Sequence, residues 1–259
     1  MKNKISKLIK PVIALSALTL SMSSQATIVE FDVSISNEVK SVKVNLFDET
    51  TPITVANFLK YLNDGSYTDT VIHRAIPGFV VQGGGFTFEN EIPLTKVDTD
   101  SAIKNEPVWS NVKGTISMAK LENQIDSATN QWFFNLEDNS ANLDLQNGGF
   151  TVFGQVIEGM EVIESITSLS FCGEMPMPDY TQDQCTNGDL PGLENFVVVN
   201  QITINDPDVT SASSLSPIKN TLIEESNKTP DQVNSSSGGT FSWLNILAFG
   251  LIAFRKKFR

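Results

Sequence analysis

Two apolar alternations near the start of the chain constrain its fold most. Ile28-Val29-Glu30-Phe31-Asp32-Val33 and Val39-Lys40-Ser41-Val42-Lys43-Val44-Asn45-Leu46 both repeat with a period close to two. Strand side chains point to opposite faces in turn, so each run reads as a half-buried antiparallel strand. Residues 71–76, 79–82, 115–118, 132–135 and 151–157 predict further short strands, and 195–204 a last one. Only two helices interrupt them. Thr51 suits the N-cap and Pro52 the first helical position. Val55, Phe58, Leu59 and Leu62 then recur at i, i+3, i+4 and i+7, with Gly65 as the stop. A shorter helix is expected over 160–166. Many short strands with two helices predict a mainly β fold, a barrel rather than a parallel α/β sheet.

The ends of the chain belong to other classes. Residues 1–26 carry Lys2, Lys4, Lys7 and Lys10, then a short apolar run, then Ser24-Gln25-Ala26. That is the order of a cleaved secretory signal; the apolar run is too short for a transmembrane anchor. Residues 27–206 read as one domain. Residues 207–237 gain Ser, Thr, Asn and Pro and read as a flexible linker. The segment 238–259 holds Gly238-Gly239, an apolar run and the basic end Arg255-Lys256-Lys257-Phe258-Arg259. As a helix, the run 241–254 would reach about 21 Å, short of a hydrocarbon core of about 30 Å. The basic end favours the cytoplasmic side, which puts the domain outside the cytoplasm. This order resembles the GlyGly-CTERM sorting signal of Gram-negative bacteria, which implies proteolytic removal and delivery to the cell surface or medium. A plain C-terminal anchor is the alternative.

The charge balance narrows the partners. The chain has 18 Lys and Arg against 30 Asp and Glu. Without the four basic residues at each end, 10 face 30, a net of about −20. Such a domain repels nucleic acid and anionic lipid. Membrane contact is expected only through the C-terminal segment before processing, and a monomer is expected. Cys172 and Cys185 enclose a mostly polar segment, 173–184. In an oxidising compartment a loop disulfide is the expected state, with two free thiols as the alternative. No metal site is expected, because a single histidine and two cysteines supply too few ligands.

The candidate chemistry centres on Arg74. It is the only arginine before the last five residues, and it adjoins the only histidine, His73. An arginine held in an apolar, glycine-flanked segment reads as a fixed hydrogen-bond donor. The usual nucleophilic arrangements are missing. No G-x-S-x-G accompanies His73, Gly83-Gly84-Gly85 lacks a following Lys-Ser/Thr, and no carboxylate pair stands out as a glycosidase dyad.

Ile72-His73-Arg74-Ala75-Ile76-Pro77-Gly78-Phe79-Val80-Val81-Gln82-Gly83-Gly84 resembles the signature segment of cyclophilins, the barrel-fold peptidyl-prolyl isomerases. Thr54-Val55-Ala56-Asn57-Phe58, Lys113-Gly114-Thr115-Ile116-Ser117-Met118-Ala119, Asn130-Gln131-Trp132-Phe133-Phe134, Leu143-Asp144 and Val152-Phe153-Gly154 resemble further family segments in the expected order. Asn105-Glu106 and Asp126-Ser127-Ala128-Thr129 look closest to bacterial periplasmic members. The resemblance implies a closed eight-stranded antiparallel β-barrel with two flanking α-helices and no cofactor. It implies Arg74, Gln82 and Phe79 as the catalytic group. Phe79, Val80, Phe133 and Leu143 would line a proline pocket, Phe150 would adjoin the substrate, and Gln131 and the backbone near Ala119 and Lys120 would lie beside the flanking peptide.

The implied activity is rotation of Xaa-Pro bonds in exported proteins, in the periplasm or cell envelope, at the surface or in the medium. A proline-peptide binding module or holdase on the same fold is the alternative. Several positions depart from the family pattern. Asn142 stands where a tryptophan is common, which implies weak cyclosporin binding. Phe150 replaces a common His or Tyr, Val80 a methionine and Trp132 a phenylalanine, so the pocket shape is expected to differ. The cysteine-bearing segment 170–193 exceeds the short loop expected there.

Overall fold

The computed structural model describes residues 27–206 and 215–223. In chain order the strands and helices are β1 (Ile28–Ile35), β2 (Glu38–Leu46), α1 (Pro52–Asn63), β3 (Thr70–Val71), β4 (Arg74–Ile76) and β5 (Val80–Gly83). Then come β6 (Phe86–Thr87), β7 (Thr95–Lys96), β8 (Thr115–Met118), β9 (Trp132–Asn135), α2 (Ser140–Leu143) and β10 (Val152–Glu158). The last are α3 (Met160–Ile166), β11 (Phe171–Cys172), β12 (Met175–Pro176), α4 (Gln182–Asn187) and β13 (Val198–Asp206).

Eleven strands form one antiparallel sheet in the order β4-β5-β9-β8-β10-β2-β1-β13-β3-β6-β7. β3 and β4 stand far apart in that order, yet only Ile72 and His73 separate them in the chain. In a flat sheet they would lie about 38 Å apart, at about 4.8 Å per strand. Three Cα steps span about 11 Å at most. The sheet therefore curls on itself, and 70–76 serves both ends of the curl. Counting 70–76 once, the staves are that segment, β5, β9, β8, β10, β2, β1 and β13, in line with the eight expected. The single strand expected over 71–76 is split between two partners: 70–72 runs beside β13, with Ile72 N–H donating to Val197 O at 2.9 Å, and 74–76 pairs with β5.

The curl has two dissimilar faces. Val29, Phe31, Val33 and Ile35 of β1 and Val42, Val44 and Leu46 of β2 point inward and are buried. Helix α1 joins this core: Phe58 meets the rings of Phe31, Tyr67 and Phe153 at centroid distances of 6.1, 5.2 and 5.2 Å. Burying one such side chain stabilises the fold by about 1.5–3 kcal/mol. Val162, Ile163 and Ile166 of α3 join the same core.

Several expectations change in detail. Thr51 occupies the N-cap of α1, but its side chain makes no cap bond; its Oγ1 donates to Phe47 O at 3.1 Å. Glu106 caps instead, accepting from the N–H groups of Ile53 and Thr54 at 3.3 and 2.9 Å. A carboxylate there also suits the helix dipole. Two helices were expected; the described residues hold four, because the short α2 and α4 lack an apolar period long enough to read. β13 begins at Val198, since a 3-10 turn occupies Leu193–Asn195. Residues 215–223, placed in the linker by composition, lie against the domain. Ser110 N–H donates to Ile218 O at 2.8 Å, Asn220 N–H to Val108 O at 2.9 Å, and Asn220 Nδ2 to Asp144 O at 2.8 Å. The signal-like and sorting-like ends fall outside the described residues. Among the described residues no helix is long and apolar enough to cross a membrane.

Candidate active site

The candidate residues gather on the outer face of the curl. Register decides this. Arg74 on β4 stands opposite Gln82 on β5, Gln82 opposite Phe133 on β9, and Phe133 opposite Ser117 on β8. Directly paired residues share a face, so these four form one row across four strands. One residue along, Val81, Phe134 and Ile116 form the matching inward row and belong to the barrel core. Val80, Phe133, Leu143 and Phe150 form a separate buried cluster, with Phe79 and Ala119 packed against it. The cluster holds all four residues that the resemblance assigns to the pocket, Phe79, Val80, Phe133 and Leu143, together with Phe150 and Ala119.

Trp132 is not among them. It was expected to alter the pocket, but the period-two alternation turns it inward. There it meets Phe31 at 5.2 Å and Phe134 at 5.4 Å between ring centroids. It also explains a glycine. A Cβ on Gly84, whose φ is 79°, would lie 2.6 Å from Trp132 Nε1.

The polar members are joined end to end. Arg74 Nη1 reaches Gln82 Oε1 at 3.5 Å, and Gln82 Nε2 donates to Gln131 Oε1 at 2.8 Å. Arg74 Nε donates to Glu174 Oε2 at 2.7 Å. The Arg74 side chain is 14% exposed and that of Glu174 is 56% exposed, so the pair sits at the edge of solvent. Gln131 O accepts from Ala119 N–H at 2.9 Å, which ties the two positions expected beside a flanking peptide. Lys120 turns inward. Its ammonium donates to Asn147 O and Gly149 O at 2.7 Å each and lies 4.8 Å from the centre of the Phe150 ring. Burial lowers its pKa to about 8. The Lys120 side chain thus braces the turn before Phe150. Asn142 is exposed on α2, next to buried Leu143.

His73 is enclosed and neutral at pH 7. Its Nδ1 is enclosed and its ring meets Phe86 at 4.8 Å. Burial first, then the neighbouring Arg74 charge, lower its pKa to about 4, while hydrogen bonds to Val71 and Gln131 oppose the shift.

Two features escaped the sequence reading. Glu174 is one. The other is a polar network beneath the apolar cluster. Asp144 accepts from Asn111 N–H at 2.7 Å, from Asn111 Nδ2 at 3.0 Å and from Ser110 Oγ. Asn111 Nδ2 also reaches Phe150 O at 3.1 Å, and Asn139 Nδ2 holds Phe79 O at 2.9 Å. Asn111 Oδ1 accepts from Ser117 Oγ at 2.7 Å, and Asn139 Nδ2 donates to Asn135 Oδ1 at 2.8 Å. The backbones on both sides of the pocket are thereby fixed by buried amides. The available signal was a set of polar residues inside otherwise apolar segments. Cys172 and Cys185 form a disulfide with Cα atoms 5.6 Å apart. Among the described residues no cluster of three or more His, Cys, Asp or Glu is arranged to hold a metal ion.

Comparison with known proteins agrees with this geometry. Residues 30–186 match the family described as cyclophilin type peptidyl-prolyl cis-trans isomerase/CLD. Peptidyl-prolyl cis-trans isomerase A of Dickeya dadantii is 36% identical over 167 residues, covering 63% of this chain and 85% of that protein. Peptidyl-prolyl cis-trans isomerase B of Escherichia coli is 38% identical over 135 residues, covering 50% and 79%. The crystal structure of a Cryptosporidium parvum cyclophilin type isomerase aligns with a TM-score of 0.50 at 19% identity, over 70% of this chain and 98% of that one, which speaks to the fold alone. The match over most of the domain, on a curled antiparallel sheet with the signature residues in one outer row, means that this chain belongs to the cyclophilin family.

Proposed function

We propose that the protein catalyses cis-trans rotation of Xaa-Pro bonds in extended polypeptide segments. The observation that carries the reading is the outer row itself: one buried-edge guanidinium, held by neighbours on two sides, next to a pocket of Phe79, Val80, Phe133, Leu143 and Phe150. Partial double-bond character opposes the rotation with a barrier of about 18–20 kcal/mol. Proline makes both isomers accessible but leaves exchange slow. No nucleophile or general base is required. The apolar cluster holds the pyrrolidine ring, and Gln82 and Gln131 orient the flanking backbone. Arg74 donates to the prolyl nitrogen as its lone pair localises in the twisted amide. That hydrogen bond is stronger in the transition state than in the ground state, which is the condition for acceleration. One such donor contributes about 10²–10³ in rate.

We further propose that the clients are exported proteins met outside the cytoplasm. The signal-like segment 1–26 and the disulfide support this reading. In the same reading the protein is a monomer, and segment 238–259 is its only membrane contact.

The test is the cis-trans exchange rate of an Ala-Pro-Phe peptide, followed by NMR line shape with catalytic amounts of the full chain. Acceleration over the uncatalysed rate is expected. Peptide binding without acceleration would overturn the catalytic reading and leave a binding module. Intact mass of the protein from membrane and medium tests the ends: loss of 1–26 is expected in both, and a retained N-terminus would contradict export.

A further inference from the structure

We infer that Glu174 is a positioning residue for Arg74, delivered by a disulfide-pinned hairpin; the inference rests on the isomerase reading above. β4 is the end strand of the main sheet and, among the described residues, is paired there with β5 alone. Its other side meets the β11–β12 hairpin. Residue 174 touches two successive residues of β4: its carboxylate accepts from Arg74 Nε at 2.7 Å, and its carbonyl accepts from Ala75 N–H at 2.7 Å. Strand and catalytic side chain are therefore both anchored from one point.

That point is itself fixed. Cys172 pairs with Met175, so Gly173 and Glu174 form a two-residue turn, with Gly173 at φ 67° as such hairpins require. Cys172 is bonded to Cys185 on α4, and α4 starts in a capping box between Thr181 and Gln184. Cys172, Met175 and Cys185 pack against a second apolar cluster that includes Tyr180, Phe196 and Val198. The hairpin thus belongs to the elaboration 170–193 that the short family loop would not supply.

The chemistry needs such a partner. A guanidinium has five N–H donors in one plane on a long flexible stem. Glu174 takes Nε and Gln82 takes one hydrogen of Nη1, which sets the plane and leaves the remaining donors for substrate. Glu174 does not belong to the apolar cluster that would hold the proline. Its loss should therefore lower kcat and leave KM unchanged.

The test compares full-length wild type with Glu174→Ala, Glu174→Gln, the double variant Cys172→Ser/Cys185→Ser, and Arg74→Ala as the reference for a missing donor. Glu174→Ala is expected to lose about tenfold in kcat with KM unchanged, about the effect of one charge-assisted hydrogen bond. Glu174→Gln keeps an acceptor and should stay within about threefold of wild type. The cysteine pair should fall between them. The chain has three arginines, so the Arg74 Nε–H resonance can be identified by NMR. It should shift and exchange faster with water in Glu174→Ala and be retained in Glu174→Gln, which a purely structural role would not produce. If Arg74→Ala is slow while Glu174→Ala matches wild type, or loses only through KM, this inference fails and the isomerase reading stands. A cysteine variant at the wild-type rate would remove the disulfide from the account. If wild type itself does not accelerate exchange, the isomerase reading fails first.

Discussion

The inner and outer faces of β5, β9 and β8 come from the same three strands, yet they are held together differently. Inward, Val81, Trp132, Phe134 and Ile116 join one continuous apolar core. Their contacts are many, weak and non-directional, so a change of volume is what that face resists. Outward, Gln82, Phe133 and Ser117, joined by Arg74 of the adjoining β4, form a row in which each polar group has a particular partner. That face resists loss of a donor or acceptor far more than a change of volume. The pleat therefore separates stability from chemistry at a spacing of one residue.

The separation can be broken on either side. The largest effect is expected inside: Trp132→Ala should cost about 3–5 kcal/mol in denaturant unfolding, because the surrounding rings cannot collapse into the void. The folded fraction should keep its affinity for a proline peptide. Beneath the outer face, Asp144→Ala removes the acceptor of Ser110 Oγ and of Asn111 N–H, and one of the two acceptors of Asn111 Nδ2. A loss of about 2–4 kcal/mol is expected, together with weaker peptide binding, because Asn111 also holds Phe150 O.

His73 tests the boundary between the faces. Its pKa falls from 6.5 to about 4 in the folded protein, so protonation favours the unfolded chain. Its contribution to stability is complete above pH 6.5 and is lost as pH falls toward 4, by about 2–3 kcal/mol. His73→Phe should remove that part of the pH dependence in thermal melts, and an identical slope in both proteins would contradict the burial argument. The smallest effect is expected at the rim. Asn142→Trp should tighten cyclosporin binding about tenfold by calorimetry and leave the unfolding midpoint in place.

What was legible in the sequence follows the same division. Period two showed β1 and β2, and the apolar period showed α1, because each pattern is written within a few consecutive residues. The family-like segments pointed to Arg74, Gln82 and the apolar cluster; the sheet register puts Arg74, Gln82 and Phe133 in one row, and packing brings Val80, Leu143 and Phe150 against Phe133. Contacts between distant residues were not legible. Glu174 lies 100 positions from Arg74, and Glu106 lies 52 from Thr54, the helix end it caps. No local rule marks either carboxylate among the 30 acidic residues of this chain. Trp132 was misassigned to the pocket because a substitution within a motif does not reveal its face until strand register is known. Asp144 stood in a family-like segment and Asn111 in none, but neither was legible as buried, since burial of a polar side chain is a property of the packed fold.

The most direct measurement is the exchange rate of an Ala-Pro-Phe peptide with wild type and Arg74→Ala, taken together with unfolding of the same two samples. The account predicts that the variant loses about 10²–10³ in catalysed rate. Its unfolding free energy should stay within about 0.5–1 kcal/mol of wild type, because Arg74 sits on the outer face in a partly exposed ion pair. An unchanged rate in a folded variant would contradict the assignment of Arg74 as the donor to the prolyl nitrogen.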